Sequence, residues 1–191
     1  MNRRKAIFRI TLAGIGLAGA GTAYEWWTLV RSPDIPWLRN NKELIAALSE
    51  TIIPATDSPG AREAGVADFI VKMIASCTPV KEQNNFISGL KAIQDRCRSK
   101  YRKPYQHCAP AEQEAALLYF EQKGQPFKGT AGKLEARLTG RSFFRILKDY
   151  TVEGYCTSSA GATKGLAYLY IPGSFHGCIP LQPGQKAWAT N

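Results

Sequence analysis

Two histidines in 191 residues leave this chain short of the commonest general base and metal ligand. His107 adjoins Cys108, and His176 stands two residues before Cys178. A closed zinc site takes about four ligands, and a cysteine nucleophile needs a base held by a third group. Neither set assembles from these residues. The five cysteines form no C-x-x-C, no C-x-x-C-H and no cluster-binding run. Those absences argue against thioredoxin-type redox work, covalent haem attachment and iron–sulfur ligation. No stretch offers the roughly 20 consecutive apolar residues of a membrane span, and none alternates convincingly as a strand. The chain contains no complete catalytic motif.

What is present begins at the N-terminus. Arg3 and Arg4 precede the uncharged, Gly/Ala-rich segment Ile10–Ala23, 14 residues long. A paired arginine before a short, weakly apolar core reads as a twin-arginine export signal, an address for cargo that folds before it crosses the membrane. Ala18-Gly19-Ala20 offers a cleavage site, whereas Tyr24, Trp26 and Trp27 would suit an uncleaved interfacial anchor. Gly14, Gly16 and Gly19 also match G-x-G-x-x-G, but that fingerprint requires a strand before it and an acid closing a second strand about 20 residues on. Asp34 lies between Pro33 and Pro36, and Arg3, Arg4, Lys5 and Arg9 make a poor buried strand. The glycine match belongs to the signal core.

The formal charge is +10, from 25 cations and 15 acids. Four of the cations precede Ile10; the remaining 21 against the same 15 acids leave +6. The densest run, Arg96 to Lys103, reads as a solvated helix end, with no nucleic-acid partner expected. Five cysteines suit an oxidising compartment and leave at least one thiol without a partner in the chain. Cys97 with Cys108, and Cys156 with Cys178, are candidate pairs, since connectivity cannot be read from spacing.

After a linker over residues 24–39, apolar residues recur at helical spacing. Leu44, Ile45, Leu48 and Ile52 form one stripe, stopped by Pro54. Val66, Phe69, Ile70, Met73, Ile74 and Cys77 form a second, and Phe86, Leu90, Ile93 and Cys97 a third that opens at Thr78-Pro79. Pro110, Glu112 and Glu114 start a fourth helix, and a fifth is expected from Lys133 to about Val152. The expected class is all-α: a small irregular bundle over residues 40–152. Residues 153–191 form a long irregular arm with six glycines, three prolines and the rings of Tyr155, Tyr168, Tyr170, Phe175 and Trp188. Such an arm packs on its own bundle or on another protein.

Four segments carry a family resemblance: Thr51 to Val66 (TIIPATDSPGAREAGV), Thr151 to Ser158 (TVEGYCTS), Tyr170 to Gly173 (YIPG) and Gly177 to Leu181 (GCIPL). In this order they resemble the small-subunit family of gluconate 2-dehydrogenase, subunit 3. The resemblance implies a non-catalytic subunit of a periplasmic, membrane-associated sugar or sugar-acid dehydrogenase. It implies FAD in a large partner of the glucose–methanol–choline type, commonly joined by a cytochrome c subunit carrying haem c. The small subunit then brings the export signal for both proteins. Asn2 before the arginines, and Ala6 and Ile7 where Phe and Leu are usual, depart from the common signal. Cys156 stands where many relatives have a second Tyr, which opens a covalent link to the partner as one reading.

The first segment also has a reading of its own. Pro54 ends a helix, Thr56 and Asp57 can bond nearby backbone, and Pro59-Gly60 favours a tight reversal. It is either a rigid helix-to-helix corner or a surface pressed against a partner. Pro54, Thr56, Asp57, Pro59, Gly60, Tyr155 and Cys156 are therefore the candidate docking residues. The alternative function is a free-standing periplasmic binding or assembly protein.

Overall fold

The computed structural model describes residues 31–125 and 139–189, except 169, 172, 175, 176, 179 and 182. Arg3, Arg4, the signal core and the first residues of the expected fifth helix lie outside them. The described residues are helical throughout the bundle, with no strand among them; the one β-bridge joins Ala167 and Trp188. The all-α class is borne out. No helix among the described residues is long and apolar enough to cross a membrane.

Among the described residues six α-helices follow in order: α1 Ile35–Asn40, α2 Lys42–Ile52, α3 Val66–Cys77, α4 Val80–Tyr101, α5 Pro110–Lys123 and α6 Phe143–Thr157. A 3-10 turn, Tyr105–His107, joins α4 to α5, and a π-turn, Gly161–Gly165, follows α6. α1 occupies part of the expected linker. Asp34 caps it by accepting a hydrogen bond from Trp37 N at 3.0 Å, and Pro36 sits in its first turn. A proline there costs nothing, because that backbone has no intrahelical partner to lose.

α6 packs against α2, α3, α4 and α5, which makes it the centre of the bundle. Its buried stripe is Phe143, Ile146, Leu147, Tyr150, Thr151, Gly154 and Tyr155. Phe143 meets Phe86 of α4 and Phe120 of α5 at ring-centroid separations of 5.6 and 5.8 Å. A Cβ on Gly89 would enter the Phe143 ring, so the glycine sets how closely α4 and α6 approach. Each Leu or Ile withdrawn from water this way contributes on the order of 2 kcal/mol.

The start of α6 is fastened by Arg141. Its backbone N–H and Nε donate to the two oxygens of Glu82 at 3.0 and 2.9 Å, and Nη1 reaches Asp149 at 3.2 Å. Burial pushes the Glu82 carboxyl up, but the hydrogen bonds and charge of Arg141 outweigh it and hold the group below the usual carboxylate range. The guanidinium is correspondingly stabilised in its charged form, chiefly by the hydrogen bond to Glu82.

α6 runs five residues past Val152, so Tyr155 and Cys156 are helical rather than part of the arm. Gly154 does not break the helix because it is needed there: a Cβ would sit 2.7 Å from the Phe69 ring of α3. Cys77, expected on the buried stripe of α3, ends that helix exposed.

Candidate partner-docking face

The corner between α2 and α3 is closed largely by one carboxylate. Glu50, in the last turn of α2, accepts from Ala55 N at 3.0 Å with one oxygen and from Arg62 N at 2.8 Å with the other. Both mouths of the loop are thus held by the same side chain. Ala61 N donates to Ile53 O at 2.9 Å behind it. Thr56 donates to Asp57 Oδ1 at 3.0 Å, and its N–H bonds Ser58 O at 3.0 Å, which supplies the local turn. Gly60 has no room for a side chain: a Cβ would lie 2.7 Å from Ala55 N and against the Glu50 carboxylate.

This geometry divides the corner residues. Pro59, Gly60 and Ala61 are buried, whereas Pro54, Ala55, Thr56 and Asp57 face solvent. The first group builds the corner and the second presents it.

Tyr155 belongs to the building group. Its hydroxyl donates to Pro59 O at 2.8 Å across 96 positions of sequence, and the side chain is only 8% exposed. The π-turn that follows α6 folds over this ring. Gly165 lies on the Tyr155 hydroxyl, Ser158 Oγ donates to Tyr155 O at 2.7 Å, and Gly161 N donates to Ser158 Oγ at 2.9 Å. Two segments far apart in sequence, the Pro/Gly corner and the Gly-Tyr-Cys motif, are one assembly. Lys164 and Glu63 add an exposed ion pair at 3.9 Å, worth well under about 1 kcal/mol. Cys156 sits beside Tyr155, half-buried.

The arm leaves from the π-turn and returns to it. Ala167 N donates to Ala187 O at 2.8 Å, Ala189 N to Ala167 O at 2.9 Å, and Lys186 Nζ to Lys164 O at 2.6 Å. Between these fastenings several of the described apolar side chains are exposed. Tyr170 is 84% exposed, Ile171 77% and Leu181 85%, with Tyr168 and Trp188 near half. The arm is closed on itself at its root and does not bury these groups on the bundle. Phe175 and His176 lie outside the described residues.

A concavity of about 500 Å³ lies between α4, α5 and the start of α6, with Asn85, Phe120, Lys123, Arg141 and Phe144 among its walls. Among the described residues, no three His, Cys, Asp or Glu side chains gather where a metal ion could bind. All five cysteines are free thiols: Cys97 and Cys108 buried, Cys156 half-buried, Cys77 and Cys178 exposed.

Glu50 and Arg141 escaped sequence reasoning. Glu50 had one signal, an acid four residues before a helix-ending proline, from which a carboxylate can reach N–H groups of the loop beyond. Arg141 had none, because Glu82 is 59 positions away.

A family model described as gluconate 2-dehydrogenase subunit 3 matches residues 39–173. Neither the curated proteins nor the solved structures give a significant match. The matched span is well over half of the chain and takes in the corner, α6 and the first part of the arm. The chain belongs to the gluconate 2-dehydrogenase subunit 3 family.

Proposed function

We propose that this chain is the non-catalytic small subunit of an exported, membrane-associated dehydrogenase that oxidises a sugar or sugar acid with FAD. Its family is named for a subunit of gluconate 2-dehydrogenase. In this reading FAD resides in a large partner of the glucose–methanol–choline type, and haem c in a cytochrome subunit. This chain contributes the docking face, and Arg3-Arg4 contribute the address that takes the folded pair to the periplasm.

One observation carries the docking role. Tyr170, Ile171 and Leu181 are each more than three-quarters exposed, on an arm whose root is tied through Tyr155 to the α2–α3 corner. Large apolar side chains exposed on a tied base are what a protein interface covers. The outward residues of the corner, Pro54, Thr56 and Asp57, belong to the loop that Tyr155 fastens and are exposed for polar contacts.

The test is to purify the full-length chain from the cell that makes it. A large companion with flavin absorbance is expected to come with it, and Tyr170→Ser with Leu181→Ser is expected to release that companion. A chain that emerges alone supports instead the free-standing periplasmic protein. Separately, Arg3→Lys with Arg4→Lys is expected to leave the companion in the cytoplasm. Normal export of both proteins from that variant ends the carrier role and leaves subunit membership standing.

A further inference from the structure

Cys97 lies near the end of α4, and Cys108 directly follows the 3-10 turn that reverses the chain. Their side chains meet inside the core. Cys97 is fully buried, Cys108 is 7% exposed, and the two thiols are within hydrogen-bonding reach of one another. The turn between them is rigid. Tyr105 N donates to Gln94 Oε1 at 3.0 Å, and Gln113 Nε2 donates to Tyr105 O at 3.0 Å. The Tyr105 hydroxyl shares a 2.9 Å hydrogen bond with Thr51 Oγ1, the first residue of the α2–α3 corner segment. None of the other three cysteines is buried: Cys156 is half-buried, and Cys77 and Cys178 are exposed.

We propose that Cys97 and Cys108 are a modification site: a dithiol that closes to an intramolecular disulfide after the chain has folded. The oxidant is a disulfide donor of the thiol–disulfide exchange class. One thiolate attacks a donor sulfur and expels the other as a thiolate, and the second cysteine then displaces the bound donor sulfur. The sum is one new Sγ–Sγ bond, with two protons and two electrons passed to the donor, which leaves as two thiols. The bond spans the turn that holds Tyr105 against Thr51, so it latches the base of the corner.

Burial, and then the neighbouring Cys108, pushes the Cys97 thiol up to about 12. Thiolate is the reactive form, so its population near neutral pH falls about a thousandfold below that of an ordinary thiol. Cys97 is therefore a poor nucleophile in the folded protein, and Cys108, 7% exposed, is screened by burial, so the bond closes slowly and only on contact with the donor. That suits a protein which folds with reduced thiols and is latched later. The timing in the cell rests on the export proposed above; the chemistry does not.

The experiment uses the purified full-length chain, equilibrated in reduced/oxidised glutathione, quenched with acid, denatured, alkylated and mapped by mass spectrometry. The expected product is about 2 Da lighter, links the peptides of Cys97 and Cys108, and leaves the other three cysteines alkylated. In the reduced native chain, alkylation of buried Cys97 is expected to be at least about 100-fold slower than that of the exposed Cys77 or Cys178. The oxidised chain melts above the reduced one, and Cys97→Ala with Cys108→Ala abolishes that difference. If the double variant does not fold, the wild-type peptide map alone decides. Five alkylated cysteines after equilibration under oxidising conditions, or a bond between other cysteines, overturns the proposal. The map needs neither partner nor export, so its failure leaves the subunit reading intact, and loss of the flavoprotein companion leaves the latch intact.

Discussion

Removing one oxygen from Tyr155 tests whether the corner and the arm form a single assembly. Tyr155→Phe keeps the buried ring and its packing but deletes the 2.8 Å hydrogen bond to Pro59 O. Pro59 is itself buried, so water cannot readily replace the lost donor. Leaving a buried carbonyl without its partner costs about 1–2 kcal/mol, because the group keeps its desolvation cost and loses its compensation. For a chain of this size each kcal/mol is roughly 2–4 °C in Tm, which places the variant about 2–8 °C below the parent. Tyr155→Ala adds the ring to the loss and is expected near 3–5 kcal/mol. Tyr168→Phe, on a half-exposed ring of the arm, serves as the control and is expected to change nothing measurable. Thermal and urea unfolding followed by circular dichroism give the answer, with an unchanged urea slope showing that the unfolded state is unaltered. A Tyr155→Phe protein that melts within 1 °C of its parent (about 0.3 kcal/mol) would mean that this bond does not hold the corner to α6.

The same assembly yields further expectations. Gly60→Ala forces a Cβ to within 2.7 Å of Ala55 N and onto the Glu50 carboxylate, and overpacking of this kind costs about 1–3 kcal/mol; an unfolding midpoint equal to the parent's would show that the corner yields freely. Asp57→Lys reverses an exposed charge, so Tm should stay within about 2 °C while retention of the flavoprotein in pull-downs falls; undiminished retention would remove Asp57 from the docking face. Glu82→Gln breaks the ion pair with Arg141, which is one-third exposed, so after solvent screening the loss at pH 7 is about 1–2 kcal/mol. Because the folded pKa of Glu82 is depressed, its contribution is complete above the ordinary carboxylate pKa of about 4.3 and disappears as pH falls through the lower folded value. Urea titrations of parent and variant should therefore converge on acidification below about pH 4, and a gap that stays constant throughout would contradict this account.

Much of the helical framework was legible in advance because it is encoded locally. The stripes of α2, α3 and α4 recur at helical spacing, and each ends where Pro54, Thr78-Pro79 or the loop after Tyr101 interrupts it. α1 was legible in principle, since Asp34 and Pro36 are a cap and a first-turn proline, but a proline-rich stretch also reads as a linker. The end of α6 was not. Gly154 marks a break by local propensity, yet the close approach of Phe69 turns it into a requirement.

The candidate docking residues were named from turn chemistry and resemblance, and turn chemistry cannot say which way a side chain faces. That Pro59 and Gly60 are interior, while Pro54, Thr56 and Asp57 are presented, follows from how Glu50 straps the loop. The cysteines show the same division. Spacing left both candidate pairs open, and folding α4 back through the Tyr105 turn brings only Cys97 and Cys108 together in the core. By itself the sequence determined an all-helical bundle, its main turns and the chemistry of its loops, because periodicity, caps and prolines act over a few residues. Only the tertiary structure decided that Tyr155 closes on Pro59, that Arg141 clamps Glu82 and that Tyr170, Ile171 and Leu181 stay outside. Those contacts join residues up to 96 positions apart, and they exist only once the helices have packed.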